Sequence, residues 1–147
     1  MKKFVYKMQS VLNIKEKLEE QEKARYAAAL AKLNEEEEKL SRLYDRRAAC
    51  EERLRESVGA SLNVMAIRHN EDALETLKDF IGRQKLSVKK AQDNVDAAMH
   101  RLREAMAERK THERLKEKAF EEYLAEQNAE EQKEIAELVS YRHGTKE

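Results

Sequence analysis

The chain has 147 residues, of which 41% are charged and 5% aromatic, with three glycines and no proline. Thirty Lys and Arg balance thirty Asp and Glu, so the net charge is zero and no nucleic-acid partner is implied. The balance also argues against disorder, which joins low hydrophobicity to high net charge, and without proline nothing forces the backbone to break: the expected fold class is all-α.

The longest apolar run, residues 26–31, is too short to cross a membrane, and residues 1–6 lack the apolar core of a signal peptide. Cys50 is the single cysteine, which excludes an internal disulfide and fits a reducing compartment. A cytoplasmic chain is the simplest expectation.

The first predicted helix covers residues 4–58. Its apolar stripe passes through Met8, Val11 or Leu12, Lys15, Leu18, Tyr26, Leu30, Leu33, Leu40, Leu43 or Tyr44, Leu54 and Val58. Glu22, Glu36 or Glu37, and Arg47 interrupt it, which predicts local register shifts. The turn is expected at 59–63, with Gly59 supplying a left-handed cap and Ser61 capping the next helix.

The second predicted helix covers residues 64–141, about 120 Å at 1.5 Å per residue. Its seam steps by three and four through Leu74, Leu77, Ile81, Gln84, Val88, Ala91, Val95, Ala98, Leu102 and Ala105, and only Gln84 is polar. Charged residues fill most of the other positions, so one narrow stripe needs a partner helix. Many of those charges sit four residues from an opposite sign, as in Glu35 and Lys39 or Glu38 and Arg42, which describes a solvated helix surface. Gly82 lies inside the second helix, either a flexible point or a plain surface glycine.

Reversal near residue 60 sets residue i opposite about residue 120 − i, given equal rise in both helices. The first helix is then used up at about Ala119, and residues 120–141 overhang. The overhang carries Phe120, Tyr123, Leu124, Ile135, Leu138 and Val139, with seven glutamates against Lys133. An acidic helix with an apolar stripe calls for another copy or another protein. Lys2, Lys3 and Lys7 make the amino-terminal end basic.

No catalytic apparatus is legible. The three glycines are isolated and form no phosphate-binding loop, and His69, His100, His112 and His143 lack metal-ligand spacing. Cys50 lies at or beside the seam and reads as a buried structural thiol. Carboxylates on a solvated helix lack the dry cleft that acid catalysis needs. The expectation is a non-enzyme without cofactor, metal or small-molecule ligand. Tyr26, Tyr44 and Tyr123 are candidates for partner anchors or for packing.

Four stretches carry a resemblance: FVYKMQSVLNIKEKLEEQEK at 4–23, GASLNVM at 59–65, ALETLKDFIGRQKL at 73–86 and EKAFEEYLAEQNAEEQKEIAEL at 117–138. In these, and in turn position and longer second helix, the chain resembles the FliJ family, coiled-coil components of the bacterial flagellar type III export apparatus. The resemblance implies an antiparallel two-helix coiled coil, monomeric alone, acting as a central stalk. Implied partners are the hexameric export ATPase, the membrane export gate and export chaperones, at the inner membrane at the flagellar base, in the service of flagellum assembly, motility and chemotaxis. It implies ATPase-ring contacts at Met8, Leu12, Lys15 and Glu16, and at Tyr123, Leu124, Gln127, Glu131, Glu134 and Ile135. The implied gate contacts are Leu43, Leu77 and Ile81; Arg46, Cys50 and Ala73 stand nearby where family members often carry aromatics. A virulence-type secretion stalk and a self-associating structural coiled coil are the alternatives, with an export chaperone behind them.

Overall fold

The computed structural model describes residues 2–60 and 63–145. Two helices account for nearly all of them: α1, Gln9–Ala60 with 52 residues, and α2, Val64–Thr145 with 82. Among the described residues there is no strand. The helices pack antiparallel as a helical hairpin, and the chain divides into two compact units, Glu22–Leu102 and residues 2–21 with 103–145.

In the first of these units Leu33, Ala91 and Val95 form the buried core, with Tyr26, Ala29, Leu30 and Val88 packed around them. Removing a leucine such as Leu33 from water contributes about 2 kcal/mol. Cys50 is fully buried and its thiol donates to the Asn70 carbonyl at 3.4 Å. Between these levels the two polar interruptions of the seams meet: the Gln84 amide donates to the Glu36 backbone carbonyl at 2.9 Å and to its carboxylate. A buried carboxylate thus finds a partner across the interface, which it needs to be tolerated there. The α2 seam is as the periodicity predicts. Ile81, Ala91, Val95, Ala98 and Leu102 are buried and the other five positions are half-buried.

The chain reversal differs from expectation. Helix α1 continues through Gly59 to Ala60, and no described glycine has a positive φ, so Gly59 is not a left-handed cap. Ser61 lies outside the described residues. The cap of α2 is Asn63, whose Oδ1 accepts from the Met65 and Ala66 amides at 3.2 and 3.4 Å. Its side chain satisfies two of the amides that a helix start leaves without partners.

In the second unit α1 begins at Gln9, not at Phe4, and residues 2–8 run outside the helix along α2. Phe4, Val5 and Tyr6 are aromatic or β-branched and favour helix weakly. Residues 7 and 8 form a turn, and five extended residues before it reach roughly 17 Å, the length of about eleven helical ones. This strap lies along α2 past Ala119: Tyr123 is half-buried, and Phe120 meets Phe4 yet stays 43% exposed. The uncovered part of α2 starts later: every described residue from 128 to 144 is exposed.

The α1 seam also shifts here. Leu18, expected inside, is 40% exposed, whereas Glu19 is 5% exposed. The cause lies on α2, where the Arg109 guanidinium grips both Glu19 carboxylate oxygens and reaches Glu113 at 2.8 Å. A two-pronged arginine clamp offsets the desolvation of a carboxylate that leucine would not need. One turn on, in the other unit, Glu22 leaves Oε2 buried without a hydrogen-bond partner while Oε1 accepts from Arg25 at 2.9 Å.

Candidate partner-binding site

The strap is held by aromatic rings. Phe4 meets Phe120 edge-on at 5.1 Å between centroids and Tyr123 at 5.4 Å, and Phe120 and Tyr123 stack at 6.1 Å. The Tyr123 hydroxyl donates to the Lys2 backbone carbonyl. Where the strap joins α1, the Gln9 amide donates to Tyr6 O at 3.2 Å and the Leu12 amide to Met8 O at 3.1 Å. Strap and helix enclose a groove of about 700 Å³, with Lys2, Lys3 and Lys7 on one wall and Glu122, Glu126 and Glu130 on the other. Opposite signs facing across a groove attract, more so at low salt.

All ten expected ring contacts lie in this unit. Tyr123 and Gln127 sit under or beside the strap, while Leu124 and Ile135 are 42% and 54% exposed. Glu131 and Glu134 border a hollow of about 310 Å³ with Lys2, Gln127 and Glu130. Met8, at the end of the strap, is 48% exposed, and Glu16 on α1 is exposed. Leu12, 3% exposed, is spent on the internal seam and offers a partner no surface. Lys15 pairs with Glu108 at 2.8 Å, and that contact holds the Glu108 carboxyl below the usual carboxylate range. The Arg109 guanidinium is held above its ordinary value chiefly by Glu19. These ion pairs tie α1 to α2 and escape sequence reading, because the partners lie about ninety positions apart.

The three expected gate residues lie in the other unit. Ile81 is buried and Leu43 and Leu77 are half-buried. Leu43 floors an open hollow with Lys39, Arg42, Arg46 and Gln84, and the Arg47 guanidinium lies 4.9 Å from the Tyr44 ring centre. The surface there is basic, unlike the acidic face of α2 near its end. Beside it, Gln84's amide, followed by Lys32, holds the Glu36 carboxyl below its ordinary value, and Glu36 in turn raises Lys32.

Among the described residues no group of three or more His, Cys, Asp or Glu side chains is placed to hold a metal. Among the described residues no helix is long and apolar enough to cross a membrane. The arrangement can present surfaces to other macromolecules.

A family model described as flagellar FliJ protein matches residues 3–147. A solved structure of a YscO homolog from Chlamydia trachomatis is similar in fold, with a TM-score of 0.53 and 22% sequence identity, over 99% of this chain and 100% of that one. Among curated proteins no sequence matches significantly.

Proposed function

The chain belongs to the flagellar FliJ family, and from that membership we propose that it is a non-enzymatic central stalk of the flagellar type III export apparatus. The stalk binds the export ATPase ring through the end of α2 and stimulates it, and it links the ring to the membrane export gate and to export chaperones. The observation that carries the proposal is the exposed apolar side near the end of α2, where Ile135, Leu138 and Val139 are at half exposure or more. An amphipathic helix whose apolar side is exposed can enter another protein.

A chain without catalytic groups accelerates an ATPase by binding the assembled ring more tightly than free subunits, since a ligand favours whichever state it binds. One asymmetric hairpin inside a ring meets several equivalent subunits in turn and cannot match all of them equally. The contact is then moderate in strength and polar at its edges, as the glutamates of α2 favour. The basic hollow around Leu43 is the part offered to the gate. The family model's description favours the flagellar system over a virulence secretion system. Hydrolysis by the flagellar export ATPase, measured with and without the chain, tests the assignment: stimulation supports it, and no change removes it.

A further inference from the structure

The strap shows what kind of segment the acidic side of α2 accepts. Residues 2–8 lie along one helix, an aromatic ring sits in the apolar stripe, and lysines flank it in a groove that glutamates also line. The same stripe continues past the strap. Phe120, Leu124, Gln127, Glu131, Ile135 and Leu138 recur at three- and four-residue steps and share one side of the helix. We propose that this continuation, from Gln127 to Leu138, is a docking surface for an extended segment of a partner protein carrying lysines or arginines around an aromatic side chain. The partner's identity rests on the stalk assignment, whereas the chemistry of its segment follows from the strap.

Three features define the fit. Ile135 and Leu138 offer an apolar floor at 54% and 62% exposure. Glu130, Glu131, Glu134 and Glu137 border it with one lysine, Lys133, among them, repeating the acidic wall beneath the strap. The hollow of about 310 Å³ beside Lys2 joins the occupied part of the face to the open part, so an incoming segment can continue where the strap stops. A second copy pairing symmetrically through this face would bring its glutamates against the same glutamates, which like-charge repulsion disfavours.

The test uses the full chain and a fluorescent peptide, KKFVYK, the sequence of residues 2–7, read by anisotropy at low salt. The peptide is expected to bind about tenfold more tightly than its acidic counterpart EEFVYE, and Leu138→Glu or the pair Glu134→Lys and Glu137→Lys is expected to weaken it by about tenfold. These positions are exposed, so the helices persist in the variants. Equal binding of the two peptides, or binding indifferent to the charge reversals, overturns the proposal. So does a concentration-dependent dimer that Phe4→Ala abolishes, since the occupant would then be the strap of a second copy. Because no ATPase is present, ATPase stimulation without KKFVYK binding overturns this proposal alone. KKFVYK binding without stimulation overturns the stalk assignment alone.

Discussion

Replacing Phe4 with alanine should release the strap while leaving both helices in place. Phe4 makes two ring contacts, at 5.1 Å to Phe120 and 5.4 Å to Tyr123. Aromatic pairs of this kind contribute about 0.5–1.5 kcal/mol each beyond area burial, so the substitution costs the strap roughly 1–3 kcal/mol. Each 1.4 kcal/mol is a factor of ten, which makes the strap's opening about five- to a hundredfold more favourable. Trypsin reports that opening directly, because cleavage after Lys7 needs an extended segment lifted from α2 and follows the open population when reclosing is fast. Mass spectrometry of the released peptide should show cleavage after Lys7 accelerating by that factor, with far-ultraviolet circular dichroism unchanged. Phe4→Leu, which keeps apolar area and loses ring geometry, should fall between. An unchanged cleavage rate in Phe4→Ala would mean that the rings do not hold residues 2–8, and the strap account would fail.

Other expectations follow from single positions. Gly82→Ala should stabilise the chain by about 1 kcal/mol, roughly 4 °C in Tm, since a Cβ at Gly82 meets nothing within 4 Å; a lower Tm in thermal denaturation would contradict this. Asn63→Ala should cost about 1 kcal/mol by leaving two amides of α2 uncapped, read from urea unfolding, whereas Ser at the same position should restore most of it. Glu36 links stability to pH. Its folded carboxyl lies below the ordinary value of 4.5, so the unfolded chain binds the proton more readily. Its contribution is therefore complete above about pH 4.5 and is lost as pH falls through the folded value. Urea unfolding between pH 5 and pH 3 should show a shallower loss in Glu36→Gln than in the parent chain, and an identical slope would refute the Gln84 contact as its cause.

How much of this was legible in the sequence depends on how local each signal is. The α2 seam was readable because a three-four repeat over ten positions has few structural solutions, and the hairpin followed from having nowhere else to bury it. Gly59, a glycine at a pattern lapse, reads as a helix end, while α1 tolerates it and runs on to Ala60. The usable signal was Asn63, a good N-cap residue directly before Val64. No breaker precedes Gln9, so periodicity alone extends α1 back to residue 4; the poor helix propensity of Phe4, Val5 and Tyr6 marks its true start at Gln9. Periodicity placed Leu18 inside, and it could not see that Arg109, ninety positions away, would draw Glu19 in instead. Of the partner surface, the apolar and acidic residues of 120–141 were evident from composition. The covering of the first part of that surface by residues 2–8 was not, because it depends on extended chain reaching farther than helix.

The role of the uncovered end of α2 is tested most directly by removing residues 128–147 and measuring export ATPase hydrolysis against the full chain at equal concentration. The account predicts that the shortened chain keeps its helical circular dichroism and the strap contact yet no longer stimulates hydrolysis. Stimulation equal to that of the full chain would contradict it and would move the ring-binding surface elsewhere on the hairpin.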